Sequence, residues 1–101
     1  MEVHFEDLWE KCENFYKESA KDIDSQSVID GLILKVNLYK TLDAQKEILG
    51  EEMQKVKSRT LGEILLTITY LSFKDNIDVY ESLETALQYR TINFLNKKHP
   101  M

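Results

Sequence analysis

The sequence predicts an all-α domain of about four helices, and three observations carry that prediction. Three glycines and one proline, at the penultimate position, leave too little turn chemistry for β-hairpins. Apolar residues recur at three- and four-residue spacing through most of the chain. A length of 101 residues suits one domain with a single modest core, so residues 1–101 are read as one helical unit.

In the first helix, Phe5, Leu8, Trp9, Cys12, Phe15 and Tyr16 form one stripe, with Glu6, Glu10, Lys11, Glu13 and Lys17 off it. A polar connection from Asp22 to Ser27 follows, and Ser25 or Ser27 is expected as the next N-cap. The second helix, about Gln26 to Lys46, carries two apolar rows. Val28, Ile29, Leu32, Ile33, Val36 and Tyr39 make one face, and Leu34, Leu38 and Leu42 make another. At 100° per residue the rows cover more than half the circumference. A helix of that kind is buried on several sides. In so small a domain this predicts a homo-oligomer through Leu34, Leu38 and Leu42.

Gly50 breaks the pattern. A third helix from Glu51 then carries Met53, Val56, Thr60, Leu61, Ile64, Leu65, Ile68, Leu71 and Ser72 on one stripe and ends at Asp75-Asn76. Asp78 and Glu81 have the spacing of a capping box, with Ile77 placed to staple onto the first turn. The fourth helix is expected to run to about Asn96, with Val79, Leu83, Ala86, Leu87, Arg90 and Phe94 facing inward and Lys97, Lys98 and His99 at its negative end.

Composition narrows the function classes. The formal charge of −5 argues against a nucleic-acid partner, which needs a basic stripe to neutralise phosphates. It leaves open an acidic surface for a basic protein. A single cysteine, Cys12, forms no internal disulfide and is expected to be a buried structural thiol. No run approaches the roughly 18 apolar residues of a membrane span, and MEVHFEDLWEK has neither the basic nor the apolar part of a signal peptide. A cytoplasmic protein with no membrane partner is therefore expected.

The most informative stretch is Thr60-Leu61-Gly62-Glu63, continuing through an apolar helix to Leu71, then Asn76-Ile77-Asp78-Val79 and Tyr80-Glu81-Ser82-Leu83. It resembles the MazG-like nucleotide pyrophosphohydrolases, an all-α family in which Glu-Leu-Gly-Asp opens one helix and a Gly-Ile-Asp-Leu-Glu-Glu turn starts the next. The resemblance covers the last half of the chain; the first half agrees in helix order only. It implies a four-helix bundle and Mg²⁺ held by Glu-x-x-Glu on one helix and Glu-x-x-Asp on the next. Spacing of three puts each pair on one helical face, where hard oxygen ligands suit Mg²⁺. The metals activate a water for attack on a nucleoside triphosphate.

Carried over residue by residue, the second pair becomes Thr60 and Glu63, and the first becomes Lys35 and Leu38. Three of four carboxylates are missing, and no Asp or Glu stands between Leu32 and Leu42. Lys35 places a cation where a metal belongs. The resemblance thus implies the scaffold without its chemistry: no metal, no catalytic residue, and Lys35, Thr60 and Glu63 as the residues of a ligand site if one survives.

Other candidates are weaker. His4, His99 and Cys12 make neither a zinc site nor a nucleophilic one. Glu47, Glu51 and Glu52 suit a helix start, and Lys55, Lys57 and Arg59 a solvated charge run. Tyr70, Tyr80, Tyr89 and Trp9 read first as core.

The leading expectation is a non-catalytic binding or regulatory protein, a degenerate enzyme scaffold of the phage or mobile-element type, which acts by protein–protein contact and uses no cofactor. One alternative is a nucleoside triphosphate pyrophosphohydrolase or nucleotide-binding protein with ligands relocated to Glu47, Glu51, Glu52, Glu63 or Glu81, the case in which Mg²⁺ is required. Another is an acidic inhibitor of a host protein.

Overall fold

The computed structural model describes residues 5–45 and 50–98, with the side chain of the last of these left aside. Four helices follow in order: α1 (Phe5–Ser19), α2 (Ser25–Ala44), α3 (Glu51–Asp75) and α4 (Val79–Lys98). The chain is all-α, and the expected helix order and approximate limits hold. No helix among the described residues is long and apolar enough to cross a membrane.

The ends of the helices follow from single residues. The N-cap of α2 is Asp24, and not Ser25 or Ser27 as expected: its Oδ1 accepts from the Ser27 N–H at 2.7 Å. A carboxylate accepts that bond better than a hydroxyl and also favours the positive end of the helix. The hydrogen bonds of Ser27, from its side chain and then its backbone, hold the Asp24 carboxyl below its ordinary range. Gly50 starts α3 at φ 57°, ψ −130°, a conformation that L side chains avoid. Asn76 ends α3 in the left-handed region, and the amides of Asn76 and Ile77 both close onto the Ser72 carbonyl. Asp78 caps α4, as its spacing predicts, by accepting from the Glu81 N–H at 3.0 Å.

The main packing is an antiparallel seam between α2 and α3. On α2 the inward residues are Val28, Leu32, Lys35, Tyr39 and Leu42; on α3 they are Met53, Lys57, Thr60, Ile64, Thr67 and Leu71. Both sets alternate in steps of three and four, as in a coiled-coil seam. Met53 is the most deeply buried large side chain, 2% exposed. Against α3, α1 packs through aromatic rings. Trp9 meets Phe73 edge-on at 5.0 Å, and Tyr16 lies 5.4 Å from Phe73 and 5.7 Å from Tyr70. Lys74 fastens this contact, its Nζ 5.6 Å above the Tyr16 ring and donating to the Lys21 carbonyl.

The fourth helix departs from expectation. Among the described residues it forms no seam with α1, α2 or α3, and every described side chain from Tyr80 onward is exposed. Leu83, Leu87 and Phe94, expected to face inward, stand in the open, as do Tyr80 and Tyr89, which read as core. The radius of gyration is 17.1 Å, against about 13 Å for a compact domain of this length. An amphipathic stripe shows that a helix face requires cover; it does not show which chain supplies it.

Candidate functional site

Lys35, Thr60 and Glu63, the candidate ligand-site residues, lie along the α2–α3 seam. Lys35 points from α2 towards α3. Its Nζ donates to Thr67 Oγ1 at 2.7 Å and stands 4.0 Å from Glu63 Oε2. The Thr67 hydroxyl donates to the Glu63 carbonyl at 2.8 Å, and Thr60, also buried, donates to the Val56 carbonyl at 2.8 Å. These bonds reach back four residues within one helix, which is how short hydroxyls satisfy themselves in a helix interior. No buried side-chain nitrogen or oxygen among the described residues is left without a partner.

Of the three candidate ligand-site residues, Lys35 and Glu63 are brought together. Thr60 lies one turn before Glu63 on the same side of α3, its hydroxyl already committed to Val56. Thr67 completes the cluster and was not singled out in the sequence. Its place at the same three- and four-residue steps as Thr60 and Ile64 is the signal that would have found it.

A second lysine repeats the pattern nearer the other end of the seam. Lys57 Nζ donates to Asp43 Oδ1 at 2.8 Å and lies 5.1 Å from the centre of the Tyr39 ring. Its side chain is only 16% exposed, so it belongs to the seam and not to a solvated charge run. The bond to Asp43 raises the ammonium above its ordinary range, against the opposing effect of burial. Lys55 stays outside, 3.8 Å from Glu52.

Tyr70 lies between α1 and α3. Burial pushes its phenol up first, the Glu63 carboxylate and Cys12 thiol add to this, and a hydrogen bond with Ser19 opposes it. Cys12 is half-buried, more accessible than a core thiol. His4, Glu47 and His99 lie outside the described residues.

The donors do not fit the Mg²⁺ that the family resemblance implies. Glu63 is the one carboxylate at the aligned positions, and its neighbour is an ammonium. Nowhere among the described residues do three His, Cys, Asp or Glu side chains gather closely enough to hold a metal ion. Glu51, Glu52, Glu63 and Glu81 are spread along two helices and form no such group. The seam holds two helices in register through Lys35–Thr67 and Lys57–Asp43.

Of the residues expected at an interface, Leu34 and Leu38 are exposed, whereas Leu42 turns partly into the seam. Stepping at 100° per residue reveals a larger uncovered surface. Ile29, Ile33 and Val36 on α2 and Leu61, Leu65 and Ile68 on α3 fall on the side of the pair away from α1. Five of these six are exposed and Ile29 is half-buried. Leu34 and Leu38 look out on the opposite side of α2.

No family model matches this chain, and neither a curated protein nor a solved structure shows significant similarity to it. What the fold and the seam define is a class: an all-α chain whose buried side-chain polar atoms, among the described residues, are paired and whose apolar faces are open.

Proposed function

We propose that this protein is a non-catalytic binding or regulatory module, built on a scaffold similar to the MazG-like pyrophosphohydrolases and acting by protein–protein contact. The observation that carries the reading is the uncovered apolar face of Ile33, Val36, Leu61, Leu65 and Ile68. Contiguous apolar surface of that kind marks a place where a protein is covered by another. Leu34 and Leu38 add a second strip on α2, through which self-association is also proposed.

The α2–α3 seam supports the non-catalytic half of the reading. Lys35 fills with its own ammonium the place where the family's carboxylates would hold a cation, and it is already bonded to Thr67 and paired with Glu63. Losing carboxylates and gaining apolar surface on the same two helices moves the scaffold from chemistry to contact.

Two measurements test the halves separately. Incubation with nucleoside triphosphates and Mg²⁺ or Mn²⁺ is expected to release no pyrophosphate; release that disappears in Glu63→Ala overturns the non-catalytic reading. A photo-crosslinking amino acid at position 65, and separately at position 34, is expected to give protein adducts in cells that make this chain. Leu61→Glu and Leu38→Glu, placed beside the respective probes, should suppress them. A chain that remains monomeric and unlinked at both positions overturns the contact reading.

A further inference from the structure

We infer that the cleft where α1 meets the end of α3 and the start of α4 docks a basic segment of another protein, one that carries arginine or lysine side chains beside apolar ones. The cleft shares no residue with the α2–α3 face or the Leu34 and Leu38 strip, so the inference stands apart from the reading above.

The first argument is size and lining. The cleft has a volume of about 1180 Å³, above the roughly 300–1,000 Å³ of small-molecule pockets, so a length of chain fits it better than a metabolite. Its apolar surface comes from Trp9 and Tyr16 of α1, Phe73 of α3, and Tyr80 and Leu83 of α4. Ring packing fixes the α1–α3 side, since Trp9 lies 5.0 Å and Tyr16 5.4 Å from Phe73. The α4 side is open, with Tyr80 72% exposed and Leu83 67%.

The second argument is charge, and it selects the occupant. At 100° per residue, Glu6, Glu13 and Lys17 share a strip of α1 directly beside the row of Trp9 and Tyr16, and all three line the cleft. Glu13 and Lys17 pair with each other at 3.1 Å. Glu6 on α1 and Asp78 at the start of α4 remain, on opposite walls, with no ion-pair partner among the described residues. Each stands at a helix start, whose partial positive charge offsets some, but not all, of a full carboxylate charge. Ring faces attract the same sign of guest. Lys74 already does this at the rim, its ammonium 5.6 Å from the centre of the Tyr16 ring. A basic segment gains carboxylates, ring faces and apolar contact together, whereas an acidic one gains apolar contact alone.

Trp9, the single tryptophan of the chain, reports from inside the cleft, and the probe is a synthetic peptide of leucine and arginine. The peptide is expected to shift Trp9 emission saturably and to bind less tightly as salt rises. A leucine and glutamate peptide of the same length should leave the emission unchanged. Glu6→Lys and Tyr80→Ala should each weaken the arginine peptide several-fold with helical circular dichroism retained, because both side chains are exposed. Leu38→Ala, away from the cleft, should not weaken it. An arginine peptide that leaves Trp9 unmoved overturns the inference. So does equal binding of the two peptides, or binding indifferent to both Glu6→Lys and Tyr80→Ala. Emission that shifts with concentration of the chain alone also overturns it, because a second copy then fills the cleft.

Discussion

The Lys35 ammonium donates to the Thr67 hydroxyl at 2.7 Å across the α2–α3 seam, while its distance to the Glu63 carboxylate is 4.0 Å. The shorter contact is the neutral one. Lys35 is about one-third exposed and Glu63 more than half, so their attraction is screened and contributes about 0–1 kcal/mol. What holds Lys35 in place is the hydrogen bond to Thr67 together with the packing of its aliphatic stem.

That assignment separates three substitutions at one position. Lys35→Met keeps the stem, and Thr67 retains its bond to the Glu63 carbonyl, so stability should stay within about 1 kcal/mol of the parent. Lys35→Ala removes the stem and should cost about 1–2 kcal/mol. Lys35→Glu sets a carboxylate beside Glu63 and should cost more than either. Urea unfolding gives the order directly; a methionine variant less stable than the alanine variant contradicts it.

The seam also shows what the sequence could and could not disclose. Helix limits were legible because Gly50, Asn76 and Asp78 punctuate the chain with known backbone and capping chemistry. The seam was partly hidden, because a search for apolar stripes passes over Lys35, Lys57 and Thr67, which occupy seam positions by burying stems or bonding to their own helix. The same search placed Ile33, Val36, Leu61 and Leu65 inward, since periodicity marks every apolar row alike. Which row is covered depends on where neighbouring helices lie. For α4 no helix packs along it among the described residues.

Backbone geometry yields a sharper contrast among the glycines. A Cβ at Gly50 would meet no atom within 4 Å, yet φ is +57° and ψ −130°, so Gly50→Ala should cost about 1–3 kcal/mol from strain alone. Gly31 and Gly62 lie within helices and have equally open surroundings. Gly31→Ala and Gly62→Ala should each stabilise by about 0.5–1 kcal/mol. Thermal unfolding of the three variants should show opposite signs, and a common sign would refute the backbone assignment at Gly50.

Asp24 makes the stability of α2 dependent on acid. Its carboxyl is held below the ordinary 3.8 by its bonds with Ser27, so the folded state binds the proton less readily than the unfolded chain. The contribution is present above the unfolded value and is lost as pH falls through the lowered folded value. Asp24→Asn keeps a capping oxygen but does not titrate, so its unfolding curves should show a shallower decline below pH 3.8 than the parent's. Asp24→Ala should be less stable than either at neutral pH, with reduced helical circular dichroism. Parallel acid limbs for the aspartate and asparagine forms would show that another carboxyl dominates.

The register of the seam finally allows the family resemblance to be tested by restoring what it lacks. The contacts Lys35–Glu63 and Asp43–Lys57 fix how α2 runs past α3, and they bring Leu38 to the level of Thr60. If the positions correspond, then Lys35→Glu, Leu38→Glu and Thr60→Glu together place four carboxylates around one point, counting Glu63. Such a set repels itself when empty, so the triple variant should be less stable than the parent without metal. Mg²⁺ should reverse this, with the unfolding free energy rising by about 1.4 kcal/mol for each decade of concentration above the dissociation constant. The parent and the three single variants should not respond. A triple variant that remains helical and is indifferent to Mg²⁺ would break the proposed correspondence between Lys35, Leu38, Thr60 and the ligand positions that the resemblance implies.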